Sequence, residues 1–176
     1  MRLSPAALLT AVLAVGCVVP DPVQEARVAA LGPERPGVPV GPLHRPGQPC
    51  GVCHRADGPA RPDFAMAGTV FAADAGLEGA RGIRIELVDS LGSSPPSDAP
   101  VVTNEAGNFF VPRSDWSPRF PVRVRIVDGD ASVEMRGVIG GTASCAECHA
   151  SPGTVPVPGQ ETGPVRAPGP PDGGAP

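Results

Sequence analysis

Lysine and tyrosine are absent from this 176-residue chain, and aromatic side chains are scarce: five Phe and one Trp. All 14 basic residues are Arg, set against 18 acidic ones, so the formal net charge is −4. A mildly acidic chain with scattered Arg and few rings lacks the electrostatic and stacking footprint of a nucleic-acid binder. It also lacks a basic amphipathic segment that would lie on a membrane surface. Beyond the first residues no apolar run approaches membrane-spanning length. What abounds instead is 25 Pro and 23 Gly, more than a quarter of the chain, which speaks against a helix bundle. Eight prolines fall in residues 18–49 and eight in 151–176. One domain, residues 50–150, is therefore expected between two Pro/Gly-rich arms expected to be disordered, and a core of about 100 residues excludes a large multi-domain enzyme.

The amino terminus reads MRLSPAALLTAVLAVGC: one positive charge at Arg2, an apolar run from Ala6 to Val15, then Gly16. This is the pattern of a secretory signal peptide over residues 1–16, and it predicts a mature chain outside the cytoplasm. Ala14-Val15-Gly16-Cys17 resembles a bacterial lipobox, although Ala14 stands where that signal usually has Leu. The resemblance implies that Cys17 is lipidated, which removes an otherwise unpaired thiol from an oxidising space. Val18, in place of the Asp that retains lipoproteins at the inner membrane, implies the outer membrane of a bacterial envelope. The alternative is ordinary cleavage leaving a free Cys17.

Residues 17–49 are expected to form a Pro-rich tether with one short helix. Asp21 is its cap, Pro22 suits the first turn and Gly32 the stop. Period-two alternation predicts six short antiparallel strands at 64–71, 82–89, 100–103, 107–111, 120–127 and 131–139. Ile83, Ile85 and Leu87 would face inward on the second, Val122, Val124 and Ile126 on the fifth, and Val133, Met135 and Ile139 on the sixth. The fold class expected is mostly β, a small antiparallel β-sandwich with a Pro/Gly tail at 151–176. Gly68-Thr69-Val70, the run from Gly82 to Asp89, the run from Thr103 to Val111, and Pro121-Val122-Arg123-Val124 resemble carboxypeptidase-regulatory-like (transthyretin-like) modules. That resemblance, over residues 66–128, implies a scaffold or binding module and no catalysis.

Four of the five cysteines sit in two pentapeptides, Cys50-Gly51-Val52-Cys53-His54 and Cys145-Ala146-Glu147-Cys148-His149. Two thiols at this spacing can each add to one vinyl group of a porphyrin, and the adjoining His then lies beneath the iron as its proximal ligand. With Cys17 as an acyl site, all five cysteines are accounted for. The pentapeptides resemble those of exported multihaem c-type cytochromes, which implies two covalent haem c groups, on Cys50/Cys53 with His54 and on Cys145/Cys148 with His149. Nothing between them resembles the helical single-haem cytochrome fold, so far-side ligands cannot be copied from it.

His44 is the remaining histidine, in a Pro-Gly tether leading into the first site, and is a candidate sixth ligand to either iron. Met66 and Met135 are the thioether candidates, although both are in phase with inward apolar residues, which favours core packing. Three other readings of the cysteines stand: two local disulfides, one Cys₄ zinc, or a thioredoxin-like redox pair. Six strands between the sites would return both to one pole; seven would set them at opposite poles. No nucleophile–base arrangement is present. The expected function is electron transfer to redox partner proteins of the envelope, with the membrane reached through the lipid and no role for nucleic acid. The alternatives are an envelope binding or adhesion module with structural cysteines, and a haem sensor or peroxidase-like site at an open iron.

Overall fold

The computed structural model of the chain describes residues 21–34, 36–38, 40–74, 76–150 and 162–169. The signal segment, Cys17, and residues 151–161 and 170–176 lie outside the described residues. Among those described, five strands form two antiparallel sheets: β1 (Phe64–Thr69) with β3 (Asn108–Pro112), and β2 (Arg84–Val88) with β4 (Arg123–Asp128) and β5 (Ala131–Glu134), in the order β2-β4-β5. One α-helix, α1 (Pro22–Ala30), precedes them, and single 3₁₀ turns, η1 (Cys50–Val52) and η2 (Cys145–Glu147), carry the two cysteine motifs. The chain is thus mostly β, and no helix among the described residues is long and apolar enough to cross a membrane.

The two sheets share one core. Ile85 and Leu87 of β2 and Val124 and Ile126 of β4 meet Met66 of β1 and Phe109 and Val111 of β3. Each large apolar side chain removed from water here contributes roughly 1.5–3 kcal/mol before conformational entropy is counted. Trp116 closes the core at 5% exposure and donates its indole N–H to Ser93 Oγ at 3.2 Å.

Two strand expectations are corrected. Residues 100–103 form one bridge, Val102 to Arg84, rather than a strand, and Val102 is exposed. They still run beside β2 by backbone bonds such as Ile85 N–H to Val101 O. Pro100, which has no N–H to give, confines that segment to an edge. The run expected over 131–139 ends at Glu134, and Ile139 rejoins the sheet only as a bridge to Val122. Val133, expected inward, is 47% exposed, whereas Ile139 is buried.

The arms also differ from free tethers where they are described. Helix α1 begins as expected, with Asp21 Oδ1 accepting from Val23 N–H at 2.9 Å and Gly32 at φ 68° ending it. Its buried Gln24 donates to the carbonyl of Val52 in η1 and accepts from Arg55, so the helix is fixed to the first cysteine turn. Residues 40–49 are bonded to the β1–β3 sheet, with Gly47 N–H donating to Thr69 Oγ1 and Asn108 Nδ2 donating to the carbonyls of Pro42 and His44. In the segment expected to extend as a tail, residues 162–169 instead return along the domain, and Ala167 is buried in its core.

Candidate functional site: two cysteine turns and two apolar cavities

Both 3₁₀ turns pack against β1 and against each other. Ser144, immediately before η2, bridges Ala67 of β1, and an ideal Cβ on Gly51 of η1 would lie 3.5 Å from Ser144 Cβ and 3.6 Å from Glu147 Oε1. Gly68 shows why this contact needs glycine: a Cβ there would fall 2.7 Å from Cys145 Sγ and 3.0 Å from Phe109 Cε1. The motifs, 95 positions apart in sequence, are therefore neighbours. Contact with one strand brings them together, not the number of strands between them.

Each turn opens on its own cavity. The first, about 510 Å³, is lined by Cys50, Cys53, His54, His44, Phe64 and Phe110 among others. The second, about 550 Å³, is lined by Cys145, Cys148, His149, Met135, Val133 and Val165 among others. Both volumes lie within the roughly 300–1,000 Å³ typical of small-molecule and cofactor sites. Phe109 lines both and stands between them. Ser144, 1% exposed, lies beside the second cavity, and its buried hydroxyl has no hydrogen-bond partner among the described residues.

All three histidines have Nδ1 against a backbone carbonyl. His54 Nδ1 meets Pro62 O at 2.8 Å, His149 Nδ1 meets Gly163 O at 2.8 Å, and His44 Nδ1 meets Gly41 O. A carbonyl only accepts, so Nδ1 carries the proton in the neutral ring and Nε2 is left as a lone pair. That is the arrangement by which an outer partner orients a metal-binding imidazole. The rings of His44 and His54 have centroids 5.8 Å apart and planes inclined at 26°, and Phe64 stacks on His54 at 4.2 Å. Arg45 fixes the loop that carries His44. It takes φ 50°, unusual for a residue with a Cβ, and donates to Glu34, to Gln48 and to the carbonyl of Gly32.

The thioether candidates separate. Met66 is fully buried in the core and lines neither cavity, because its β-strand phase turns it between the sheets. Met135 is partly buried and lies on the wall of the second cavity.

The four cysteines are free thiols. Burial pushes the Cys50 thiol up to about 11, with Cys53 adding to it, and the Cys145 thiol up to about 12, with Cys50 adding to it. Burial raises Cys53 as well, against the opposing Arg45 guanidinium. A thioredoxin-like thiol is shifted the other way, toward the thiolate. Among the described residues no three of His, Cys, Asp or Glu come together as a protein-held metal ion requires.

Sequence reasoning missed the carbonyls of Pro62 and Gly163, which carry no side-chain signature, and the segment supplying the second. Its only signal was Val165-Arg166-Ala167, a brief apolar alternation inside the Pro/Gly pattern. Compared with known proteins, the chain matches no family model, no curated protein and no solved structure. Its function is therefore read from the site.

Proposed function

We propose that the protein is an electron-transfer carrier with two covalent c-type haems, lipid-anchored through Cys17 at a bacterial outer membrane and serving redox partner proteins of the envelope. One observation carries the reading. Each Cys-x-x-Cys-His turn opens on an apolar cavity of cofactor size, 510 and 550 Å³, with its histidine held so that Nε2 is the available donor. Cys50 and Cys53 with His54, and Cys145 and Cys148 with His149, are the residues that would hold the two groups. A haem bound there supplies reversible one-electron chemistry at its iron.

The chain's own part is to position the two groups. His44, on the wall of the first cavity with its ring 5.8 Å from that of His54, is the residue that would supply a second imidazole to the group held there. Met135, on the wall of the second cavity, would offer a thioether to the group held there, which would raise its potential relative to a second imidazole. The close approach of Gly51 to Ser144, and the Phe109 ring that lines both cavities, support a reading in which the two groups would lie near enough to exchange an electron. The scaffold under them is the transthyretin-like module to which the strand motifs are similar, and no catalytic step is assigned to it.

The test is expression in cells that attach haem to exported chains, followed by a haem stain on a denaturing gel and a pyridine haemochrome spectrum. Two haems per chain are expected, falling to one when Cys50 and Cys53 are both changed to Ala. A chain with no covalent haem would favour an envelope binding module with structural cysteines.

A further inference from the structure

Residues 162–169 have no part in the cysteine motifs, yet Thr162 and Gly163 bond to the second one and Val165 to Ala167 bond to the chain after β1. Ala150 N–H donates to Thr162 O at 3.0 Å, so the segment pairs in parallel with His149. Thr162 Oγ1 donates to the carbonyl of Cys148 at 2.6 Å and lies 3.1 Å from His149 Nδ1. The next carbonyl, Gly163 O, is the acceptor of His149 Nδ1. Further on, Phe71 N–H donates to Val165 O and Ala167 N–H donates to Phe71 O, both at 2.8 Å. The Arg166 guanidinium gathers the carbonyls of Ala72 at 2.9 Å and Gly76 at 3.2 Å, together with that of Asp74. Thr162, Val165 and Arg166 all line the second cavity.

The first site is built differently. The acceptor for His54 is Pro62, eight residues on, in a loop closed by Phe64 N–H donating to His54 O at 3.1 Å. That orientation is local and travels with its motif. The orientation of His149 depends on a segment that begins beyond the motif and is tied to the far end of β1.

We propose that residues 162–169 are part of the second site: a strap in which Gly163 O and Thr162 Oγ1 position His149, and Arg166 anchors the strap to the loop after β1. The proposal rests on the haem reading for what His149 binds, but not for the strap itself. With the strap in place, His149 keeps its proton on Nδ1 and presents Nε2 in one orientation; without it, the ring loses its fixed partner and its ligand basicity falls. The two sites then differ in kind: His54 is oriented from the loop that directly follows its motif, whereas His149 is oriented by a segment 14 residues on that is anchored elsewhere in the fold.

Two full-length variants test this, measured on the protein as purified. Thr162→Val removes the hydroxyl bonds, and Arg166→Gln removes the anchor. The expected result is a shift in one of the two resolved midpoint potentials and in one iron–histidine stretching band, with the other haem unmoved. Thr162→Ser should restore both. Hydrogen exchange gives a readout that needs no haem: in Arg166→Gln the amides of Phe71 and Ala150 should exchange roughly tenfold faster, as the loss of a supporting hydrogen bond allows. Unchanged potentials, bands and exchange in both variants would overturn the strap, as would an equal shift of both haems. A chain that carries no haem yet shows the faster exchange would overturn the haem reading and keep the strap.

Discussion

Gly68→Ala is the smallest change that addresses how the two sites are joined. Gly68 lies inside β1 with its Cα facing η2, and its φ is not in the left-handed region, so the effect of a methyl group is purely steric. An ideal Cβ falls 2.7 Å from Cys145 Sγ, 2.9 Å from Cys145 Cβ and 3.0 Å from the Phe109 ring. Carbon and sulfur pack at about 3.5–4 Å, so η2 must move by roughly an ångström or Phe109 must leave its rotamer. Overpacking of this size costs typically 1–3 kcal/mol. Neither neighbour can yield freely, since Phe109 is 3% exposed in the core and Cys145 packs against that core. Gly141→Ala is the control: its Cβ meets nothing within 4 Å, and it lines neither cavity. Urea unfolding of both variants, with haem counted per chain, reads the effect. Gly68→Ala should unfold at lower urea and lose occupancy at the second site before the first, while Gly141→Ala stays within about 0.5 kcal/mol of the parent. If Gly68→Ala were as stable and as fully loaded as the control, the packing of η2 on β1 would be refuted.

Three further outcomes follow from the same geometry. His44→Ala should open the far side of the first iron, giving one equivalent of carbon monoxide or cyanide binding that the parent lacks, with added imidazole competing for it; no new binding would remove His44 as a ligand. Met135→Leu conserves volume and should cost under about 1.5 kcal/mol of stability, yet lower one midpoint potential and leave the other in place; two unmoved potentials would return Met135 to a packing role. Asp89 accepts from the backbone N–H of Arg119, and also of Ser93 and Leu91, and these bonds hold its carboxyl below the ordinary value of 3.8. With the folded value depressed, the stabilisation is full above 3.8 and is lost as pH falls below that toward and through the lower folded value. Asp89→Asn should therefore unfold at lower urea than the parent at pH 7, and the gap should close on acidification; a gap that is constant with pH would contradict the assignment.

What the sequence shows and what it hides divide along a physical line. The cysteine pentapeptides, the Asp21–Gly32 helix and the alternation of Arg84 to Val88 are local, and each depends on spacing or on one side chain's preference. Burial at Ile85 and Leu87 follows from that alternation because β2 is paired and one of its faces meets the core. The failures come where a tertiary partner decides. Val133 keeps the period of a core residue but lies on β5, an edge strand beside the second cavity, and so stays exposed. Met66 and Met135 share the same alternation signal, yet one is enclosed between the sheets and the other faces a cavity. The adjacency of the sites depends on Gly68 and Gly51, whose role is the absence of a side chain. The partners of the histidines are backbone carbonyls, which any residue could supply.

The most direct test of the central claim is the intact mass of the denatured mature chain purified from cells with working cytochrome-maturation machinery. The account predicts a polypeptide heavier by two haem groups, one of them lost when either cysteine pair is changed to Ala, with a lipid increment on Cys17. A colourless chain at its bare polypeptide mass from the same cells would contradict it.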